Sequence, residues 1–384
     1  MQEPYIVIII VRIIESNNAW GIRLRQSLEE KESILKSTPS RTIFMMSFPA
    51  SSLTADPASW KDQSFVSVKQ LSPEGLHSLL LLAAKYRTHQ QSNQPPHTIA
   101  AGKILSNVFY EASTRTSCSF QAAILRLGGT LIPVNATSSS AKKGETLSDT
   151  IRCLECYADV TVLRHPETGS VPAVAATSQK PVINAGDGVG EHPTQALLDI
   201  FSMVDCVHKF NKCAGSEWGV GVLDNKTIAM VGDMKNGRTV HSLARLLSSC
   251  GAKNVTIKYV APEALKMPAY VMEEVGQGGG VISQVEEADL NKVVEEGCDV
   301  MYVTRIQKER FATPEDYEKV HGCYIIDSET MKRDKEGKMV LLHPLPRVGE
   351  IKEEVDTDPR AKYFEQMENG MYVRMALLTK ILGL

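Results

Sequence analysis

Residues 104–127 read ILSNVFYEASTRTSCSFQAAILRL. The first seven, Ile104 to Tyr110, have the short apolar character of a buried strand. From Thr116 onward Phe120, Ile124 and Leu127 recur at helical spacing, and Gly128 and Gly129 close the helix. Between strand and helix stands Ser113-Thr114-Arg115-Thr116. A strand that feeds a helix through a short polar turn is the unit of parallel α/β architecture, and the unit recurs in both directions along the chain.

Upstream, residues 71–84 form a leucine-rich helix that begins at Ser72 and Pro73, a suitable cap and first turn. Downstream, the pattern predicts a strand over 131–134 and a helix over 145–158, with Leu147, Ile151, Leu154 and Ala158 in phase. Strands over 159–163 and 181–184 follow. A glycine-rich turn, Gly186-Asp187-Gly188, then leads to His192-Pro193 and a helix to about Val204. A second set opens with the strand TIAMVG from Thr227 and a helix over 238–250, and continues with strands over 254–260, 299–304, 323–327 and 339–343. The last helix, 361–382, is amphipathic and expected to pack back on the first half.

The fold class is therefore α/β, with two parallel-sheet domains. The expected boundaries are 64–204 plus the C-terminal helix 367–384 for the first domain and 205–366 for the second. Residues 1–63 lack a period and carry Ser and Pro clusters, so they read as an extension outside the fold.

With 384 residues, 43% hydrophobic and 23% charged, the chain is too long for one core of ordinary size. A net charge of -3 argues against nucleic acid or an acidic membrane as the main partner. No apolar run reaches the ~20 residues of a membrane span. Residues 5–14 are apolar but short, are interrupted by Arg12 and follow Glu3, so they do not read as a secretory signal. The expected location is cytoplasmic, with the extension leaving organelle targeting open. The eight cysteines read as reduced, buried thiols. Cys153-x-x-Cys156 lacks the second ligand pair of a zinc site, so no metal is expected.

At Ser113-Thr114-Arg115-Thr116, hydroxyls, free backbone N–H groups and a guanidinium converge at a helix N-terminus, an anion site suited to phosphate. Arg164 and His192 also lie just past strand ends, where open parallel sheets place their ligands. Arg238 and Arg305 occupy equivalent positions in the second half. Paired planar forks suit a dicarboxylate, although interdomain salt bridging would use the same residues. Lys143 sits in a loop that by itself reads as solvated. Residues 232–239, GDMKNGRT, fall one residue short of a P-loop, with Arg238 where the lysine belongs, and leave a nucleotide-binding alternative.

The segments EASTRT (111–116), SSSAKKGET (138–146), RHP (164–166), GDGVGEHPTQALLD (186–199), GDMKNGRTVHS (232–242), YVTRIQKERF (302–311) and HPLPR (343–347), in this order, resemble the signature of the aspartate carbamoyltransferases over residues 65–384. The likeness is greatest to the form found as a segment of the animal multifunctional pyrimidine protein. It implies transfer of the carbamoyl group of carbamoyl phosphate to L-aspartate, the committed step of pyrimidine synthesis, without a cofactor. It also implies roles for individual residues. Ser113, Thr114, Arg115 and Thr116 would hold the phosphate, and Thr116, Arg164 and His192 would point at the carbamoyl oxygen. Gln195 and the backbone carbonyls around Pro344, Leu345 and Pro346 would accept from the carbamoyl amide. Arg238, Arg305 and Gln307 would bind aspartate, and Ser139 and Lys143 would reach in from the neighbouring subunit of a homotrimer. An ornithine carbamoyltransferase, the nearest rival, would be expected to carry a cysteine in the 343–346 turn and to lack the 139–146 lysine loop.

Overall fold

The computed structural model describes residues 52–92, 94–135, 143–210 and 218–384. Its first sheet is built from β1 (Ile104–Phe109), β2 (Thr130–Asn135), β3 (Val160–His165) and β4 (Val182–Asp187). All pairings are parallel and the spatial order is β2-β1-β3-β4. The helices of this half are α1 (Pro73–Gln91), α2 (Thr114–Arg126), α3 (Leu147–Glu155), α4 (Ser170–Ala175) and α5 (Pro193–Phe210). The second sheet contains β5 (Thr227–Val231), β6 (Val255–Val260), β7 (Val281–Glu287), β8 (Val300–Val303) and β9 (Val340–Leu342), also parallel, in the order β7-β6-β5-β8-β9. With it go α6 (Arg238–Ser249), α7 (Ala269–Gln277), α8 (Leu290–Glu296), α9 (Pro314–Glu318), α10 (Ser328–Lys332) and the C-terminal α11 (Tyr363–Leu382). Among the described residues, no helix is long and apolar enough to cross a membrane.

Both sheets reverse their winding at a central strand. The chain moves outward from β1 to β2 and returns on the other side at β3; it likewise runs from β5 to β7 and returns at β8. Such switch points leave a crevice beyond the carboxyl ends of the strands. Helix α5 is buried all round from Pro193 to Val207, its polar Thr194, Gln195, Asp199, Ser202 and Asp205 included, because β4, β9, α6 and α11 pack around it. The expected division at 204/205 falls inside this unbroken helix. Helix α11 packs on α1, α2 and α5, so the C-terminus does return to the first half.

Three expectations need correction. Residues 52–63 are part of the fold. Leu53 and Trp60 are at most 1% exposed. The Trp60 indole donates to Thr54 O at 2.7 Å, and the Asp62 N–H donates to Ile381 O of α11 at 2.9 Å. Just beyond, Phe65 bridges Ile183 and covers the open edge of β4. An irregular segment can bury large side chains without any period, which is why its sequence reads as an extension. The strand expected over 323–327 shrinks to a single bridge between Ile326 and Ile351, because its backbone pairs with the following loop and not with the sheet. Conversely, the polar segment VISQVEE forms edge strand β7, which has no apolar run to announce it.

The cysteines also divide. Cys206, Cys250 and Cys298 are buried, whereas Cys118, Cys153, Cys156 and Cys323 are exposed free thiols.

Replacing Trp60 with alanine should cost about 3–5 kcal/mol of unfolding free energy by denaturant titration, the range for a truncated buried indole. A cost under about 1 kcal/mol would return residues 52–63 to the status of an appendage.

Candidate active site

Register brings the first half of the site together. Phe109 of β1 lies beside Arg164 of β3, so the turn leaving β1 and the end of β3 meet at one place. Ser113 has extended backbone at the N-cap of α2, yet its side chain makes no cap bond there. Its hydroxyl and the first N–H groups of α2 therefore remain available, with Arg115 on the first turn and Thr116 buried beneath it. Past β4, Asp187 fixes the turn by accepting from Glu191 N and Gly169 N, each at 2.8 Å. That turn delivers His192, 3% exposed, to the start of α5. The His192 N–H donates to Ser242 Oγ of α6 at 3.1 Å, joining the two halves.

In the second half, Gly232 leaves β5 at φ +116, and a Cβ there would lie 2.2 Å from Thr304 O. Only glycine lets the two strand ends run flush. The Asp233 carboxylate then occupies the turn, accepting from Asn236 N at 2.9 Å and from Gln307 N at 3.4 Å. This disposes of the P-loop alternative, since a phosphate cradled by that turn would meet a buried carboxylate where it needs free N–H groups. After β9, His343 Nδ1 accepts from Leu345 N at 2.7 Å, so its proton sits on Nε2 and goes to Glu350 Oε1 at 2.7 Å. Leu345 is held at φ +52, a backbone state leucine adopts only under constraint.

These strand ends face one cavity of about 720 Å³. Ser113, Thr114, Arg115, Thr116, Arg164, His192, Gln195, Arg238, Arg305, Gln307, Pro344, Leu345 and Pro346 all line it. Lys143 is exposed and lies outside this cavity, and Ser139 lies outside the described residues. The structure adds four participants to which the sequence reading gave no role. Glu111, Arg310 and Arg374 line the cavity, and Asp199 stands behind Gln195. Glu111, Asp199 and Arg310 lie within the quoted motifs. Arg374 had only the weaker signal of a lone arginine in an apolar helix.

Electrostatics single this cavity out. Glu111 Oε1 pairs with both Arg164 Nη2 and Arg238 Nη2, the latter at 2.9 Å. Arg238 Nη1 also donates to Gly188 O at 2.6 Å. Burial opposes ionisation of Glu111, but the two guanidiniums outweigh it and hold its pKa below the ordinary value. Burial, then the repulsion of Arg238, pushes Arg164 down to about 10. Arg115 is lowered by burial and by Arg305, and Arg374 is lowered by burial to about 10. His192 falls well below its ordinary value through burial and the nearby Arg164, Arg238 and Arg374. It is a neutral imidazole. Arg305 is instead stabilised by a two-point pair with Glu309. Such a concentration of mutually repelling cations is the electrostatic complement of a multiply charged anion.

Two family models cover the chain: "Aspartate/ornithine carbamoyltransferase, carbamoyl-P binding domain" over residues 63–205, and the corresponding "Asp/Orn binding domain" over 224–381. Over 321 residues, 84% of its length, the chain is 48% identical to the multifunctional protein CAD of Squalus acanthias, of which it spans only 13%. It is 42% identical to the aspartate carbamoyltransferase catalytic subunit of Thermoplasma acidophilum, with 84% of this chain and 99% of that one covered. Among solved structures, Trypanosoma cruzi aspartate transcarbamoylase in complex with carbamoyl phosphate and aspartate is 40% identical with a TM-score of 0.76, covering 85% of this chain and 98% of that one. The same enzyme with N-(phosphonacetyl)-L-aspartic acid also gives a TM-score of 0.76 at 40% identity, covering 85% of this chain and 97% of that one. Two family models, relatives above 40% identity and the arginine-lined cavity between two parallel sheets agree: the chain belongs to the aspartate/ornithine carbamoyltransferase family.

Proposed function

We propose that the cavity transfers the carbamoyl group of carbamoyl phosphate to the amine of L-aspartate, giving N-carbamoyl-L-aspartate and phosphate, the committed step of de novo pyrimidine synthesis. The observation that carries this reading is charge. Six arginines line the cavity against two carboxylates, Glu111 and Glu309, leaving four positive charges unbalanced. A phosphate dianion and the two carboxylates of aspartate bring four negative charges. Ornithine would bring one carboxylate and a cation, and would leave the cluster under-compensated.

The chemistry follows from placement. The first turn of α2 and Arg115 take the phosphate, while Arg238, Arg305 and Gln307 take the carboxylates, bringing the free amine against the carbamoyl carbon. The C–N bond forms as the amine lone pair attacks, and charge collects on the carbamoyl oxygen. Thr116, Arg164 and neutral His192 donate to that oxygen. The C–O bond to phosphate then breaks, and the phosphate leaves with the proton shed by the amine. No side-chain nucleophile is needed. Catalysis consists of holding two anions together and stabilising the oxyanion.

The assembly we infer is a homotrimer in which Ser139 and Lys143 of one subunit complete the site of the next. Exposed Lys143, outside its own chain's cavity, fits that role. A cytoplasmic setting fits the free thiols.

Purified protein given carbamoyl phosphate with aspartate, or with ornithine, should release phosphate only with aspartate; release with ornithine alone would reverse the assignment. Arg305→Ala should weaken aspartate saturation by roughly 1.5–3 kcal/mol, the worth of a lost charged contact, and spare carbamoyl phosphate binding. Loss of carbamoyl phosphate binding instead would contradict the division of labour between the halves.

His192→Ala, which removes the ring donor, should lower the turnover number by ~10²-fold, the scale for one oxyanion donor. It also carries a pH signature. The folded chain keeps the ring neutral, whereas the unfolded chain takes up a proton near pH 6.5, so protons favour unfolding. Stability should fall as pH drops below about 6.5, and His192→Ala should flatten that fall in melting curves in part, since His241 and His343 are also held below their ordinary value by burial. An unchanged slope would show that the ring is charged in the native state.

Arg115→Ala and Lys143→Ala should each be nearly inactive alone. Refolded together, roughly three quarters of the trimers are mixed, each with one intact site in three, so activity should return to about a quarter of wild type. No recovery above the separately refolded controls, with trimers confirmed by mass, would mean that each chain builds its own site.

A further inference from the structure

The motif 186–199 ends on Asp199, which the reaction above leaves unused. Asp199 lies one turn after Gln195 on α5 and is 0% exposed. Among the described residues no lysine or arginine forms an ion pair with it, although a buried carboxylate usually requires one. Three neutral donors from three elements serve it instead. Gln195 Nε2 of α5 and Gln366 Nε2 of α11 both donate to Oδ1, at 2.8 and 2.7 Å, and the Tyr302 hydroxyl of β8 donates to Oδ2 at 2.8 Å.

A carboxylate can only accept, whereas an amide has one donating and one accepting edge. Asp199 therefore turns both amides the same way, donor edge inward and acceptor edge outward. The outward Oε1 of Gln366 accepts from His343 N at 2.9 Å, which anchors the turn carrying the Pro344 and Leu345 carbonyls. Gln195 lines the cavity, and among the described residues no hydrogen bond occupies its Oε1. The result is a patch of neutral acceptors that faces the guanidiniums, hydroxyls and His192 of the same cavity. Burial raises Asp199 to about 7 against the pull of Tyr302, Gln366, Gln195 and, least, the more distant charge of Arg374. Protonation of Oδ2 would merely reverse the Tyr302 bond and leave both amides on Oδ1.

We infer that Asp199 is a positioning residue that sets donor specificity: by orienting Gln195 and, through Gln366, the turn after His343, it builds the acceptor patch that selects an NH2 group on the transferred acyl carbon. This rests on the carbamoyl-transfer reading. Acetyl phosphate is the discriminating probe, because it differs from carbamoyl phosphate only by CH3 in place of NH2. A methyl group on that patch leaves buried acceptors unpaired, and such a loss is a stronger basis for rejection than shape.

Wild-type protein is first assayed for aspartate-dependent release of phosphate from carbamoyl phosphate; no release sinks the underlying reading, not the inference alone. With that activity in hand, the affinity for carbamoyl phosphate and the competitive inhibition constant of acetyl phosphate are measured for wild type, Asp199→Leu, Asp199→Asn and Gln366→Met. Asp199→Leu removes both acceptor oxygens while keeping the branching at Cγ, and should lower discrimination by ~10-fold with acetyl phosphate affinity changed less than ~3-fold. Asp199→Asn keeps one carbonyl oxygen for both amides and should retain discrimination to within ~3-fold of wild type. Gln366→Met removes both the bond to Asp199 and the link to His343 but leaves Gln195 on Asp199, and should produce an intermediate loss, which decides the matter if Asp199→Leu does not fold. Equal loss of both ligands, an unchanged ratio, or an Asn variant as impaired as the Leu variant would overturn the inference. A residue with a purely structural role would damage the shared phosphate site for both ligands alike.

Discussion

Glu111 is the pivot of this structure, because one carboxylate is shared by two arginines that would otherwise repel. Arg164 belongs to the first sheet and Arg238 to the second half, and both pair with Glu111 Oε1. The arrangement solves a problem that any dianion-binding cavity faces before its ligands arrive. Several guanidiniums must stand close together in partly buried surroundings, where repulsion is poorly screened. Glu111 compensates part of that charge and ties the halves across the cavity. Glu309 does the same locally for Arg305. What remains uncompensated is the attraction offered to substrate.

Beneath the cation layer lies a network of the opposite character. Asp199, Gln366, Gln195 and Tyr302 form a buried cluster, open only at Gln195, in which neutral donors meet a carboxylate. Its members come from α5, α11 and β8, so the network can exist only once both sheets and the returning helix have assembled. A network of this kind is costly if one member is missing and specifying if all are present. It explains why the C-terminal helix, which donates only Arg374 and Met367 to the cavity wall, still bears on the site. In the reading proposed above, the cations would recognise the substrates by charge, and the amides would recognise the carbamoyl group by hydrogen-bond direction.

Irregular backbone supplies the remaining precision. The turn 187–191 is held by Asp187, the turn 233–236 by Asp233, and the turn after β9 by His343 and Glu350. In each case a side chain of the loop itself satisfies the loop's N–H groups, as happens where secondary structure cannot. These loops carry recognition residues, and each is locked before any ligand binds.

The sequence by itself determined the parallel α/β class, most strand–helix units and four of the six cavity arginines, Arg310 and Arg374 being the two it left without a role. Period and turn residues encode local structure, and the short motifs sit at strand ends that parallel topology brings to one edge. Strand β7 and the burial of residues 52–63 were illegible because neither has a period. An edge strand needs no apolar run, and the segment around Trp60 and Asp62 is covered by Lys380 and Ile381, far along the chain. The cysteines misled for a related reason: apolar neighbours in sequence do not settle which face of a helix a thiol occupies. Tertiary structure alone decided how Glu111 is shared, that His192 is held neutral, and which donors meet Asp199. Each depends on groups from separate elements converging within hydrogen-bond reach, with a proton affinity set by burial and by charges that linear order leaves scattered.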